Sequence, residues 1–161
     1  MLDKTLNDGW KTIMEENRNS NIADEYIKKL AEVDYAIKLP DTEYDVMKAV
    51  WETEPPVTTA ELMKKIGNDR RWKIPTLVSF LQRLEDRGFV MSYKVGKSRY
   101  YIPLADRDIY LRFATEEFIK NYHDGSFVNL LSSYFSERAF TDEDIDDLLT
   151  WVRARFGDGN E

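Results

Sequence analysis

The chain has 161 residues, about the length of one domain, with 42% hydrophobic residues, 33% charged residues and a net charge of −7, a balance typical of a globular protein that is not a general polyanion binder. It contains no cysteine and one histidine, His123, which excludes disulfides, thiolate catalysis and Cys- or multi-His metal sites, so we expect no metal and no cofactor. No apolar run that could form a signal peptide or a membrane span follows Met1, and we expect a cytoplasmic protein that does not insert into membranes.

The charge is distributed unevenly along the chain. Residues 106–161 alone carry a net charge of −7, whereas residues 64–99 hold ten basic and three acidic side chains. A compact basic stretch in an acidic chain is typical of a surface that faces phosphate groups. A solvated charged face has the same composition, so charge alone does not separate a nucleic-acid-binding domain from an ordinary surface.

Residues 1–39 are predicted to form a partly helical N-terminal extension. Apolar side chains recur there at helical spacing and predict a helix that Pro40 ends. These side chains are Tyr26, Ile27, Leu30, Val33 and Ile37. The sequence does not indicate the role of this extension.

Three short helices are predicted in the next fifty residues. The first lies between Pro40 and Pro55-Pro56, because proline cannot continue a helix. The second opens with a capping box at Thr58–Glu61. The third begins near Pro75, which suits a first helical turn, and ends at Gly88.

Two strands follow these helices. Residues 89–94 and 99–102 have the composition of β-strands, and Gly96-Lys97 forms the turn between them. Three helices followed by a β-hairpin are the order of a winged helix-turn-helix, in which the third helix enters the DNA major groove and the hairpin flanks it. We therefore predict a winged helix-turn-helix DNA-binding domain at residues 40–104, in a fold that is mainly α with a small β-hairpin.

Residues 105–157 are predicted to be a helical dimerisation domain, followed by a short tail at residues 158–161. Three apolar helical stripes are hard to bury within so few residues. A second copy of the same helices is the economical partner, because two-fold dimers are the commonest oligomers. The candidate dimerisation residues are Leu111, Phe118, Phe127, Leu130, Leu131, Tyr134, Leu148, Leu149 and Val152.

The third predicted helix carries the candidate base-reading face. Its apolar stripe consists of Leu77, Phe80, Leu81 and Leu84. Burial of this stripe leaves the opposite side of the helix facing solvent. Outward-facing Ser79 and Gln82 can hydrogen-bond base edges, while Val78 can touch a thymine methyl group. The base-reading candidates are Pro75, Thr76, Val78, Ser79 and Gln82. The candidates for phosphate contacts, which position a protein without reading sequence, are Arg70, Arg71, Lys73, Arg83, Lys94, Lys97 and Arg99.

Several ordered motifs resemble the penicillinase repressor family of the BlaI/MecI type. Residues 39–51 (LPDTEYDVMKAVW) resemble its opening helix, and residues 72–89 (WKIPTLVSFLQRLEDRGF) its recognition helix and the turn that follows. Residues 94–103 (KVGKSRYYIP) resemble its wing. The resemblance extends over about residues 39–155, and the N-terminal extension lies outside it.

This resemblance implies a transcriptional repressor that binds a palindromic double-stranded DNA operator as a homodimer. It also implies a membrane sensor-protease system that relieves repression by having the repressor cut within its tail. The family's Asn-Phe cleavage pair is matched here by Glu117-Phe118, which marks the candidate cleavage region. The family's copper-responsive branch carries a cysteine-rich metal site, and the absence of cysteine excludes that branch.

An alternative function is a winged-helix protein-interaction module that no longer binds DNA. The weakly basic third helix and the net charge of −7 favour this alternative. We do not expect an enzyme, because no nucleophile–base pair or phosphate-binding glycine loop can be assembled from the sequence.

Overall fold

A computed structural model describes residues 20–136 and 141–157. The helices of these residues are α1 (Ser20–Leu30), α2 (Asp41–Trp51), α3 (Thr59–Leu62), α4 (Ile74–Asp86), α5 (Arg107–Tyr122), α6 (Phe127–Tyr134) and α7 (Asp142–Phe156). A π-helical turn, Met63–Gly67, continues α3. The strands are β1 (Val57–Thr58), β2 (Val90–Val95) and β3 (Ser98–Pro103). The mainly helical fold with a small antiparallel sheet confirms the predicted fold class.

The chain divides into two compact units, of which one ends at Ala114 and the other begins at Thr115. This division falls inside α5, ten residues after the 104/105 boundary expected from the sequence. The first two turns of α5 therefore belong with the winged helix-turn-helix elements, and so do residues 20–39 of the N-terminal extension. The two units are described separately below.

The predicted capping box and recognition helix are both present. The Thr58 hydroxyl accepts a hydrogen bond from Glu61 N, and the Glu61 carboxylate accepts one from Thr58 N at 2.7 Å. Hydrogen bonds from Thr58 lower the pKa of Glu61. Helix α4 has Pro75 in its first turn and ends before Gly88, whose φ of +75° is the left-handed conformation that glycine adopts easily.

The buried side of α4 is narrower than its apolar stripe. Leu77, Leu81 and Leu84 are fully buried, as predicted. Phe80 is only half-buried, because it lies at the edge of the stripe, where its ring centroid is 5.1 Å from that of Trp72.

The sheet has the strand order β1-β3-β2, with both pairings antiparallel. Strands β2 and β3 form the predicted hairpin; β2 is shifted by one residue from the predicted 89–94, and β3 extends one residue beyond each end of the predicted 99–102. Strand β1 adds two residues, Val57 and Thr58, opposite Tyr101 and Tyr100. A two-residue strand has too few positions for an alternating pattern, so the sequence alone did not predict it.

Two buried clusters cover the two faces of this sheet, because successive strand side chains point to opposite faces. The first core lies between the sheet and α2–α4, and its sheet residues include Val90 and Tyr101. The second core covers the other face and is formed by Tyr26, Met91, Tyr93, Ile102 and Leu104.

The helix predicted to run to Pro40 ends at Leu30. Val33 and Ile37 lie in non-helical chain after the helix, yet both pack half-buried against the first core. Their burial reproduced a helical spacing without a helix, which explains the incorrect prediction.

The second unit has no buried side chain among residues 115–136 and 141–157. Its helices nevertheless have well-formed N-termini. The Ser126 hydroxyl accepts a hydrogen bond from Asn129 N at the start of α6, and Thr141 and Asp144 form a capping box at the start of α7. No helix in the described ranges is both long and apolar enough to cross a membrane.

Candidate nucleic-acid interface

The five base-reading candidates share one exposed face of α4. Pro75, Thr76, Val78, Ser79 and Gln82 are all exposed, whereas the leucines on the opposite side are buried. The structure therefore brings these candidates together on one side of α4, whose opposite side is anchored in the first core.

Two further residues modify this face. Gln82 Nε2 donates a hydrogen bond of 2.9 Å to Asp86 Oδ1, which uses one of its two amide hydrogens and leaves the other hydrogen and the side-chain carbonyl oxygen available. Ile74, the first residue of α4, is 60% exposed beside Pro75 and adds apolar surface at the end of the helix that would enter a groove. Sequence periodicity missed Ile74, because its spacing of three from Leu77 predicts burial.

Two arginines, Arg83 of α4 and Arg87 directly after this helix, lie near a buried carboxylate of α2. Glu43, whose side chain is 4% exposed, places Oε2 2.8 Å from Arg87 Nε and Oε1 3.9 Å from Arg83 Nη1. The Arg83 side chain remains 57% exposed, with its guanidinium carbon 5.5 Å from the centre of the Phe80 ring. Arg83 can still reach a phosphate, while Arg87 ties α4 to α2.

The three basic residues before α4 differ in their surroundings. Arg70 forms an ion pair with Asp45 and lies over the Trp72 ring at 5.7 Å, so its charge is balanced within the unit. Arg71 and Lys73 are exposed and have no carboxylate within ion-pair distance among residues 20–136 and 141–157. The backbone of Arg71 is left-handed, with φ +56°. Arg71 and Lys73 are therefore better placed than Arg70 for phosphate contacts.

The basic residues of the wing lie at its outer end. Lys94 and Arg99 are directly opposite each other in the β2–β3 ladder, and Lys97 lies in the turn; all three are exposed. By strand alternation, Lys94 shares the sheet face of Val90 and Arg99 that of Tyr101, which is the face covered by α2–α4. The wing thus presents Lys94 and Arg99 on the same side of the sheet as α4.

A polar chain joins α4 to the wing. Glu85 Oε1 accepts hydrogen bonds from Ser92 N at 2.9 Å and from Ser92 Oγ at 2.8 Å, and Ser92 Oγ accepts one from Arg99 Nη1. Glu85 and Ser92 were not singled out from the sequence, because the contact spans seven residues between two elements. Burial raises the pKa of Tyr101, which lies opposite Ser92 in the ladder, above the ordinary value for tyrosine.

The candidate dimerisation residues fall into two groups. Leu111 precedes the division between the units and packs half-buried against the first core. The other eight lie in the second unit, where each is exposed or half-buried; they are Phe118, Phe127, Leu130, Leu131, Tyr134, Leu148, Leu149 and Val152. Leu111 therefore contributes to the core of the first unit.

The candidate cleavage pair lies within a regular helix. Glu117 and Phe118 are both exposed in α5, and Glu117 accepts hydrogen bonds from Lys120 and Asn121 at 3.4 Å. The Phe118 ring lies 5.2 Å from that of Tyr122. A protease can reach the peptide bond between Glu117 and Phe118 only after this part of α5 has unwound.

Comparisons with known proteins agree with these elements. The family model described as penicillinase repressor matches residues 39–154, which include every element from α2 to nearly the end of α7. A similar protein is the methicillin resistance regulatory protein MecI of Mammaliicoccus sciuri, which is 22% identical over 112 residues, or 69% of this chain and 89% of that protein. The resemblance drawn from the sequence motifs is thereby confirmed, and the chain belongs to the penicillinase repressor family of transcriptional regulators.

Proposed function

We propose that this chain is a sequence-specific DNA-binding repressor that acts in the cytoplasm as a homodimer on a palindromic operator. One observation carries the proposal: the exposed face of α4 offers hydrogen-bonding side chains and has, on both sides, basic residues without an ion-pair partner in the part of the chain that the structure describes. Arg71 and Lys73 precede it, and the basic wing flanks it. This is the arrangement that a helix entering a major groove requires.

Ser79 and Gln82 are assigned to base edges in this proposal. Hydroxyl groups bond to several bases, and the amide of glutamine suits adenine. Ile74, Pro75 and Val78 supply apolar contacts of the kind that select a thymine methyl group. The phosphate contacts then come from Arg71, Lys73, Arg83 and the wing, and they set the register of the helix without reading sequence.

The second unit supplies the homodimer in this proposal. Its helices expose large apolar side chains that include Phe127 at 52%, Tyr134 at 60%, Leu149 at 43% and Trp151 at 57%. Exposed apolar groups of this number mark an interaction surface. A second copy of the same helices covers them symmetrically, and a two-fold dimer presents two α4 helices to two half-sites.

Relief of repression by a membrane sensor-protease system is the remaining part of the proposal. A protease that cuts between Glu117 and Phe118 must first unwind this part of α5. The second unit offers little resistance to local opening, since its described residues include no buried side chain. Cleavage there would separate α6 and α7 from the DNA-binding unit and so remove the dimer contacts.

The test begins with selection of binding sites from a randomised duplex library, followed by titrations on the selected site and on random DNA. Ser79→Ala and Gln82→Ala should each lose about 1–3 kcal/mol on the selected site and little on random DNA. Lys97→Ala should weaken both duplexes equally and reduce the salt slope by about one per chain. Arg99→Ala should act similarly, but it also breaks the bond to Ser92.

Lys28→Ala is the matched control, because it removes one exposed positive charge from α1 and should leave both affinities unchanged. The proposal would be overturned if the library enriched no sequence and if the affinity of the protein for DNA did not depend on salt. That result would favour the protein-interaction module, for which the Gln82–Asp86 bond on the outer face of α4 is the supporting observation.

A further inference from the structure

The N-terminal extension covers the face of the wing sheet that points away from α4. The Tyr26 side chain of α1 is 1% exposed and lies in the second core with Met91 and Tyr93 of β2. Its hydroxyl donates a hydrogen bond of 3.3 Å to the Pro103 carbonyl at the end of β3. The extension precedes the family match, which begins at residue 39, so these contacts are additions to the shared domain.

The chain between α1 and α2 holds the extension in place. Val33 packs against both cores. The Tyr35 hydroxyl accepts a hydrogen bond of 2.9 Å from Asp106 N, and the Tyr35 ring stacks on Phe113 of α5. Leu39 N donates a hydrogen bond of 3.1 Å to the Tyr110 hydroxyl. Residues 20–39 are thus fixed at both ends, at the sheet and at α5.

The second core extends further along the hairpin than the first does. The last hairpin pair in the second core is Tyr93–Tyr100, whose rings stack at 5.6 Å. The next pair along the ladder is Lys94–Arg99, which carries two of the wing's phosphate candidates. On the other face, a polar chain runs from Glu85 through Ser92 to Arg99 itself. A two-stranded hairpin is marginally stable alone, so its outer end depends on what covers the neighbouring pairs.

We infer that residues 20–39 are a wing brace, in which Tyr26 is the positioning residue that holds Lys94, Lys97 and Arg99 in the orientation for phosphate contact. The inference rests on the proposed function, and it adds a specific role for the extension. The brace acts on affinity and leaves base selection to α4, because it touches the sheet and makes no contribution to the exposed face of α4.

A role in mere stability makes a different prediction from a role in wing positioning. A variant that only unfolds lowers the active fraction equally at every salt concentration, and the salt slope stays the same. A variant that loosens the wing loses phosphate contacts, and each lost contact reduces the magnitude of the slope by about 0.9.

The experiment uses the full-length chain and two readouts, amide hydrogen exchange without DNA and salt titrations with the library-selected duplex and random duplex. Tyr26→Ala should raise exchange at residues 92–100 at least about tenfold more than in α4, since local opening and not global unfolding exposes these amides. The salt slope should fall by about two to three per chain, with the ratio of selected to random affinity unchanged. Ile27→Ala, at a neighbouring position of the same helix that is 56% exposed, should match the wild type.

Leu30→Ala removes a half-buried side chain from the second core and decides the question by the same measurements if Tyr26→Ala does not fold. Wild-type exchange at the wing together with a wild-type slope, in either folded variant, would overturn the brace. Absence of DNA binding by the wild-type protein would overturn the proposed function alone, and the exchange measurement would still decide whether residues 20–39 order the wing.

Discussion

Leu81 of α4 and Leu149 of α7 both lie on the apolar side of an amphipathic helix, but Leu81 is fully buried and Leu149 is 43% exposed. The same contrast separates the two units. Every described buried side chain lies before Thr115, and most of them belong to the two cores on either side of the sheet. The helices of the second unit have caps and apolar stripes yet bury no side chain among residues 115–136 and 141–157.

The contrast shows that amphipathic periodicity predicts which face of a helix is apolar, but it does not predict which element or molecule covers that face. In the first unit, the partner of each stripe is another element of the same chain, so the stripe is satisfied within one copy. In the second unit, the stripes remain available for an intermolecular surface. The two units should therefore respond differently to the same kind of substitution.

The largest expected difference follows truncation of the two leucines. Leu81→Ala should lower the free energy of unfolding by about 2–5 kcal/mol, because it leaves a cavity in a closed core. Leu149→Ala should leave the unfolding of the first unit unchanged and should weaken self-association. Denaturant titrations followed by circular dichroism measure the former, and sedimentation equilibrium the latter. Equal losses of stability in both variants would contradict the contrast between the units.

The ion pairs give a second comparison of the same kind. Arg87→Ala leaves the Glu43 carboxylate buried with only Arg83 nearby, and it should destabilise the first unit by about 3 kcal/mol. Lys120→Ala removes the exposed pair with Glu117 in the second unit and should change stability by less than about 0.5 kcal/mol. Thermal melts of both variants test this. If Arg87→Ala melts like the wild type, Glu43 does not depend on its ion pair.

A smaller effect is expected in alkaline solution, where the buried tyrosine Tyr26 lowers the free energy of unfolding of the first unit. Burial, with a further contribution from Tyr35, raises the pKa of Tyr26 from 10 to about 12. As the pH rises above 10, Tyr26 ionises in the unfolded chain before it ionises in the folded protein. The free energy of unfolding therefore falls between pH 10 and about pH 12, by on the order of 2 kcal/mol. Tyr26→Phe should remove this part of the decline.

The comparison requires unfolding free energies of both proteins at several pH values between 9 and about 12. Tyr35, Tyr101 and Tyr110 have raised pKa values from burial as well, and their contribution should persist in the variant. Parallel curves for wild type and Tyr26→Phe would contradict the assignment to Tyr26.

Local signals in the sequence predicted much of the first unit. Thr58 and Glu61 are three residues apart and form their capping box without help from distant residues. Pro75, Gly88 and the alternation of the hairpin likewise act locally. The DNA-facing candidates on α4 could be named because three buried leucines fix the rotation of the helix.

Features that depend on contacts between distant segments were not predictable in this way. Glu43 lies in the first turn of α2, and its carboxylate is buried beside two arginines that are forty or more residues away in the sequence. Arg70 was indistinguishable from Arg71 until the ion pair with Asp45 was seen. The role of residues 20–39 depends on Tyr26 reaching Pro103, a separation of 77 residues that no local pattern reports.

The facing positions of Lys94 and Arg99 have a consequence for the free protein. Like charges directly opposite each other in a ladder repel, so the outer end of the hairpin favours opening when nothing lies against it. An anion placed between the two side chains removes that repulsion, and by thermodynamic reciprocity a tip that is already closed binds the anion more tightly. Dissolved salt therefore has two opposite effects on the wing. It screens the repulsion between Lys94 and Arg99 that opens the tip, and it also screens the attraction between these side chains and the anion.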